Sequence, residues 1–188
     1  MSKFHSQYMI TMKDIVKDGS PILRKKTEEL DIPIEKEDRD VLLCMLQYLK
    51  NSQDPTISKK YHLRPGVGLS ANQIGLNKRM FAAFFDEKEY MLINPKIISH
   101  SVNMIYLPQG EGCLSVDKEV QGFVPRYERI KVKAYDIDGQ EVILKFKGYG
   151  SIIFQHEIDH LNGMMFYDRI NQDHPYKLPD NVMIESLG

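Results

Sequence analysis

The sequence predicts one domain, residues 1–188, with a fold that combines helices and strands in separate stretches of the chain. Apolar residues recur at helical spacing in residues 31–53 and again in residues 151–163, and a block with strand pattern lies between them. The chain has 188 residues, of which 42% are hydrophobic and 27% are charged. This length and composition suit a single globular domain with a buried core.

Composition and charge restrict the classes of partner. The 25 lysines and arginines nearly balance the 26 acidic residues, so the chain lacks the basic field on which nucleic-acid binding depends. The two cysteines, Cys44 and Cys113, are too few for a disulfide-stapled secreted domain. No window approaches the length of a membrane span, and the segment MSKFHSQYMITMKDIVKDG has no export signal. We therefore expect a cytoplasmic protein with no direct nucleic-acid partner and no membrane segment.

The first helix is predicted within the segment DIPIEKEDRDVLLCMLQYLKNSQ. Its apolar residues recur at the spacing of one helix face, namely at Val41, Leu42, Met45, Leu46 and Leu49. The polar stretch that follows has turn signals at Asp54-Pro55 and Pro65-Gly66. We expect a short helix between these turns, in an excursion inserted between two parts of the core.

Strand patterns begin after Lys78. They occupy the segments RMFAAFF, YMLINPKII and RIKVKAYDIDGQEVILKFKGY. Asp138-Gly139 separates two alternating runs in the last segment, which predicts a β-hairpin. The C-terminal residues VMIESLG fit either a final strand or a loosely docked end.

A second helix is predicted over SIIFQHEIDHLNG, with Ser151 as N-cap and Gly163 as the stop signal. Its two histidines, His156 and His160, lie about 40° apart around the helix axis, so one ion is within reach of both. Glu157 lies about 100° from His156, close to such an ion without ligating it. The pattern H-E-x-x-H therefore indicates a metal site, and the alternative is an ordinary solvated helix face.

Two histidines are too few for a catalytic metal, because such sites usually have three protein ligands. The pattern H-E-x-x-H-x-x-G-x-x-H is matched as far as Gly163 and fails at Phe166. A downstream glutamate is offered only by Glu185, in a segment without helical pattern. Upstream, the glycine-flexed segment LPQGEGCLSVDKE could present the thiolate of Cys113. Cys113 is our candidate third ligand, and the alternative is a small buried hydrophobe.

The glycine-rich segment RPGVGLSANQIG has two interpretations. It satisfies the dinucleotide-binding pattern G-x-G-x-x-A, but the polar KKYHLRP precedes it where that fold requires a buried strand. In the other interpretation, Gly66 and Gly68 let the backbone approach an extended ligand. Gln73 would then direct its amide towards a developing oxyanion.

Taken together, GVGLSANQ, EGCLS and HEIDH resemble the three motifs of peptide deformylases, and the resemblance extends from about Met12 to Ile170. The polar stretch before Gly66 and the tail look like the second bacterial class, which is common in Gram-positive organisms. The resemblance implies an α+β fold in which antiparallel sheets surround the HEIDH helix. It also implies that Cys113, His156 and His160 bind the metal, that Glu157 is the acid/base, and that Gln73 and the Leu114 N–H form the oxyanion hole.

The activity implied by the resemblance is removal of the formyl group from N-formylmethionyl nascent peptides, near the exit tunnel of the ribosome. A Cys/His₂ set accepts Zn²⁺, Ni²⁺, Co²⁺ or Fe²⁺, and the resemblance favours Fe²⁺. Two other functions remain open at this point. One is a metallopeptidase that cleaves internal peptide bonds, and the other is a metal-free binder of formylated N-termini.

Selectivity for methionine requires an apolar pocket near the reacting atoms. We expect the substrate to be bound by Gly66, Val67, Gly68, Leu69, Leu107, Gly110, Glu111, Ile152 and Ile153, with Tyr149 at the rim. One ligand histidine should donate its second ring N–H to a neighbouring oxygen, and Asp159 is not on the face of the helix to accept it. Ser70 replaces the alanine that the family usually has, and we expect it to contact neither a metal ligand nor an oxyanion donor.

Overall fold

The structure is a computed structural model that describes residues 3–5, 7–180 and 183–187. The helices are α1 (Lys36–Gln53), α2 (Pro55–Tyr61) and α3 (Gly148–Leu161), with short 3₁₀ turns at Pro21–Arg24, Ala71–Ile74 and Phe166–Arg169. The strands are β1 (Gly68–Ser70), β2 (Met80–Phe85), β3 (Lys88–His100), β4 (Met104–Tyr106), β5 (Arg126–Tyr127), β6 (Arg129–Tyr135), β7 (Glu141–Lys147) and β8 (Ile184–Ser186). This is the predicted α+β class.

The main sheet has the strand order β1-β2-β3-β6-β7, and every neighbouring pair is antiparallel. The predicted hairpin is formed by β6 and β7. In its loop the Asp136 carboxylate accepts hydrogen bonds from the backbone N–H groups of Asp138 and Gln140, both at 2.9 Å. Pro95 lies within β3 at a register irregularity between Ile93 and Lys96, the kind of position where a strand tolerates a residue without an N–H.

Strand β2 explains why the sheet lies at the centre of the molecule. Met80 and Ala82 belong to the core cluster that includes α1, whereas Phe81 and Ala83 belong to the cluster that includes α3. Successive side chains of a strand point to opposite faces, so β2 is buried on both. This burial accounts for the continuous apolar run MFAAFF, which lacks polar alternation.

Helix α1 confirms the first predicted helix, since Val41, Leu42, Met45, Leu46 and Leu49 are all buried. The predicted short helix is α2, which follows α1 directly. The Asp54 carboxylate caps α2 by accepting hydrogen bonds from the N–H groups of Thr56 and Ile57, both at 2.8 Å.

Helix α3 begins earlier than predicted, and the assignment of Ser151 as its N-cap was wrong. The helix starts at Gly148, directly after β7, and its N-cap residue Lys147 makes no side-chain cap. Ser151 lies inside the helix, where its hydroxyl donates to the Tyr127 carbonyl at 2.8 Å. The predicted stop is confirmed: α3 ends at Leu161, and Gly163 has a φ of +75°. A Cβ at Gly163 would lie 2.6 Å from the Arg24 carbonyl oxygen, so packing requires glycine there.

A smaller sheet has the order β5-β4-β8, in which β4 pairs antiparallel with β5 and parallel with β8. The tail therefore ends in a strand, the first of the two alternatives. Val182 and Gly188 of the predicted tail segment lie outside the described residues. None of the helices in the described part of the chain is long and apolar enough to cross a membrane.

Candidate metal centre and active site

The three predicted metal ligands converge on one point. His160 Nε2 lies 3.2 Å from Cys113 Sγ and 3.1 Å from His156 Nε2. All three ligand atoms lie within 4.8 Å of one another. Tetrahedral coordination with ordinary Zn–S and Zn–N bonds separates such atoms by about 3.3–3.6 Å. The donor set and its two short spacings therefore fit one divalent ion, and His156 is the partly exposed member of the set.

His156 is oriented by a carboxylate that the sequence did not identify in this role. Glu111 Oε2 lies 2.8 Å from His156 Nδ1, which leaves Nε2 directed at the other ligands. The two Glu111 oxygens also accept hydrogen bonds from Arg126 Nε and Nη2, both at 2.8 Å. Burial opposes ionisation of Glu111, but the charge and hydrogen bonds of Arg126 outweigh it and lower the pKa of Glu111 to about 2. An ionised Glu111 raises the basicity of His156 as a ligand.

Arg126 joins this carboxylate to a second one. Its side chain is fully buried, and its Nη1 donates to Asp159 on α3. Asp159 also accepts two hydrogen bonds from Arg169, at 2.6 and 2.7 Å. Asp159 therefore does not contact either ligand histidine, as expected, and instead anchors the arginine that holds Glu111. His160 differs from His156, since its Nδ1 is buried without a hydrogen-bond partner in the described part of the chain.

Cys113 lies in a segment that is held from both sides. Its Sγ accepts hydrogen bonds from Gln73 Nε2 at 3.3 Å and from the Ser115 N–H at 3.4 Å. Arg64 donates to the carbonyl oxygens of Cys113, Leu114 and Val116 at 3.1, 3.3 and 3.1 Å. Arg64 was not identified from the sequence, where its only signal is its place directly before Pro65.

The Leu114 N–H has no acceptor among the residues that the structure describes. It lies next to Cys113 in the chain, and the Gln73 amide contacts the same Cys113 Sγ. Gln73 is itself fixed, because its Oε1 accepts a hydrogen bond from the Ser70 N–H at 2.9 Å. Gln73 and Leu114, the two residues predicted to supply the oxyanion donors, thus both lie beside Cys113 and line one cavity with it.

Glu157 is buried against β1. Its Oε2 lies 2.6 Å from Ser70 Oγ, and a Cβ at Gly68 would lie 2.2 Å from its Oε1. Burial raises the pKa of Glu157, although the His156 charge and the Ser70 hydrogen bond oppose the shift. The expectation that Ser70 contacts no oxyanion donor was wrong, since its N–H donates to Oε1 of Gln73, a predicted donor, and its hydroxyl also contacts Glu157.

A cavity of about 300 Å³ opens beside these groups. It is lined by most of the predicted substrate-binding residues, by the three predicted catalytic residues and by two of the predicted metal ligands: Gly66, Val67, Gly68, Gln73, Leu107, Glu111, Cys113, Leu114, Tyr149, Ile152, Ile153, His156 and Glu157. Leu69 does not line it, because its side chain points into the core cluster of α1. Gly110 and His160 do not line it either. Four further lining residues were not identified from the sequence, namely Gln53, Arg64, Pro65 and Gly112.

Cys113, His156 and His160 form one cluster, and Glu157 follows His156 directly on α3. This combination of groups defines a metal-dependent hydrolase. The family model described as polypeptide deformylase matches residues 12–176. The chain is 55% identical over 177 residues to peptide deformylase 2 of Bacillus anthracis, covering 92% of this chain and 96% of that one. It is 49% identical over 180 residues to peptide deformylase 2 of Bacillus subtilis strain 168, covering 93% and 98% of the two chains.

Solved structures agree with this relationship. Peptide deformylase from Thermus thermophilus superimposes with a TM-score of 0.72 at 32% identity, over 85% of this chain and 86% of that one. The enzyme from Thermotoga maritima gives a TM-score of 0.71 at 30% identity, over 88% and 99%. The chain therefore belongs to the polypeptide deformylase family, of the Gram-positive type. It is an enzyme, a metal-dependent hydrolase of N-formylmethionyl peptides, and the metallopeptidase and the metal-free binder are not favoured.

Proposed function

We propose that Glu157 is the general acid/base with which this chain hydrolyses the formyl amide of N-formylmethionyl peptides. Water adds to the formyl carbon, the C–N bond breaks, and the products are formate and a free N-terminal amine. The observation that carries this assignment is the position of Glu157, whose carboxylate lines the same cavity as Cys113 and His156. The preceding residue, His156, is a candidate metal ligand, so proton transfer would occur beside the metal.

Cys113, His156 and His160 would hold the ion in this scheme. A divalent ion in such a site supplies Lewis acidity, which lowers the pKa of water and polarises a carbonyl oxygen. We propose Fe²⁺ as the physiological ion, on the basis of the family resemblance. The same thiolate and imidazole donors also suit Zn²⁺, Ni²⁺ and Co²⁺.

Glu157 has two tasks in the reaction. It accepts a proton from the attacking water and later returns this proton to the leaving amine. A carboxyl group with a raised pKa is suited to both tasks, because its carboxylate accepts a proton more readily than that of an exposed glutamate. Burial is the main cause of this raised pKa.

Charge that develops on the formyl oxygen needs donors that are already in place. We propose the Gln73 amide and the Leu114 N–H for this role. Removal of one such donor costs about 2.7–4 kcal/mol in other enzymes. The hydrogen bond from the Ser70 N–H to Gln73 Oε1 keeps the Nε2 end of the amide on the metal side. The oxyanion would therefore meet donors that do not have to reorganise.

The walls of the cavity suit an apolar side chain such as methionine. Val67, Leu107, Ile152 and Ile153 contribute hydrocarbon surface, and Tyr149, which is 42% exposed, lies at the mouth. The segment 65–68 offers backbone rather than bulky side chains along one side, which fits an extended peptide. We propose that the rest of the substrate chain leaves along this edge.

We also propose that the chain acts as a single catalytic domain in the cytoplasm, on nascent peptides at the ribosome. The experiment that tests the function compares three peptides of one sequence with formyl-methionyl, acetyl-methionyl or free methionyl N-termini. Anaerobically purified protein should release formate from the first and leave the other two intact. Cleavage of an internal bond in the free peptide would contradict the proposal.

A further inference from the structure

Ser70 forms a contact that the mechanism above does not use. It is the last residue of β1 and is completely buried. Its Oγ lies 2.6 Å from Glu157 Oε2 and 3.1 Å from the Glu157 carbonyl oxygen. A hydroxyl has one hydrogen to donate, and the shorter distance is in the range of a charge-assisted O–H···O⁻ bond. The hydroxyl is therefore best placed to bind the carboxylate.

The two oxygens of Glu157 consequently have different surroundings. Oε2 is held by Ser70, whereas Oε1 lies over the Cα of Gly68, where a Cβ would approach to 2.2 Å. No donor to Oε1 is found among the described residues, and both Gly68 and Glu157 line the cavity. One oxygen is anchored, and the other is left for groups that enter the cavity.

We propose that Ser70 is a positioning residue, which anchors Oε2 so that Oε1 is the oxygen that exchanges the reaction proton. The inference rests on the proposed role of Glu157. Ser70 is suited to this task because β1 is paired with β2, and because its N–H also holds Gln73 Oε1. A single residue on a rigid strand thereby fixes the relative positions of the acid/base and an oxyanion donor.

The test compares Ser70→Ala with Ser151→Ala. Alanine differs from serine only by the lost hydroxyl and adds no volume at this buried position, so the first variant should fold. Ser151 is an equally buried serine on α3, and its hydroxyl donates to the Tyr127 carbonyl without touching a carboxylate. Both variants lose one buried hydroxyl, which makes Ser151→Ala the matched control. Each protein is loaded with the same metal, and its metal content, kcat, KM and Tm are measured.

Ser70→Ala should lower kcat about tenfold, which is part of the 10²–10⁴-fold that general acid–base catalysis contributes. Its KM and metal content should stay at the wild-type values. Ser151→Ala should keep the wild-type kcat even if its Tm falls as far as that of Ser70→Ala. A crystal structure of metal-free Ser70→Ala should show that the Glu157 carboxylate has left its single position.

An unchanged kcat in Ser70→Ala, an equal loss in both variants, or an unmoved Glu157 carboxylate would each overturn the inference. A wild-type protein that releases no formate would instead refute the proposed function. In that case the crystallographic comparison still decides whether Ser70 positions the carboxylate.

Discussion

The chemistry of the candidate metal ligands is controlled by the residues that touch them. Gln73 and the Ser115 N–H direct donors at Cys113 Sγ, while Glu111 accepts the ring hydrogen bond of His156. The contacts of Gln73 and Glu111 join residues 40 and 45 positions apart. The ligands could be predicted from sequence because H-E-x-x-H places both histidines on one helix face. Their partners could not, because only the fold brings distant segments together.

The role proposed for Ser70 also could not be predicted from the sequence. Ser70 lies 87 positions from Glu157 in the chain, and its significance depends on a hydroxyl that reaches one carboxylate oxygen. A serine in place of alanine predicts a small change in packing. The structure instead places it between the two groups that are proposed to handle the proton and the oxyanion.

Replacement of Cys113 by serine should remove most of the bound metal. A serine hydroxyl does not ionise near neutral pH, so the site would lose its only thiolate ligand. We expect metal content to fall from about one equivalent to a small fraction, and formate release to fall with it. Cys44→Ala is the control, because Cys44 is buried in the core of α1 and should leave metal content unchanged. A Cys113→Ser protein with full metal and rate would exclude Cys113 as a ligand.

At the scale of secondary structure, Arg126 connects three elements. It lies on β5, donates to Glu111 in the segment before Cys113, and donates to Asp159 on α3. Both carboxylates are almost fully buried, with side-chain exposures of 5% and 6%. The positions of two ligand-bearing segments thus depend on one buried guanidinium.

Loss of this guanidinium should destabilise the whole fold. Arg126→Met leaves Glu111 and Asp159 buried with fewer partners, and breaking a buried ion pair in this way costs about 3–5 kcal/mol. Urea unfolding of metal-free protein measures the free energy of unfolding. Arg129→Met, on the next strand along the chain, is the control, since its side chain is 64% exposed and its ion pair is a surface one. Equal stability of the two variants would contradict the role of Arg126.

The elements themselves were largely predictable. The apolar face of α1, the β6–β7 hairpin and the helical HEIDH segment all have strong local patterns, and the structure confirms them. The start of α3 was missed because β7 runs directly into the helix without a capping side chain. Arg126 was missed because an arginine on a short strand predicts an exposed residue, and only its two carboxylate partners explain its burial.

At the scale of the whole molecule, the sheet and α3 together form the frame of the site. Strand β2 is buried between α1 and α3, and β1 at its edge carries Gly68 and Ser70 against Glu157. The parallel pairing of β8 with β4 could not be predicted, because it joins the tail to a strand about eighty residues earlier. Helix α3 therefore presents Glu157 to the edge strand β1 and presents His156 and His160 to the segment that carries Glu111 and Cys113.

The central claim is that Glu157 performs proton transfer beside a metal that it does not bind. The most direct measurement determines metal content and formate release together, for the wild type and for Glu157→Ala, with a formyl-methionyl peptide and anaerobically purified protein. We predict that Glu157→Ala retains a full equivalent of metal and that its rate falls by at least about 10²-fold. A variant that keeps its metal and a rate near that of the wild type would contradict this claim.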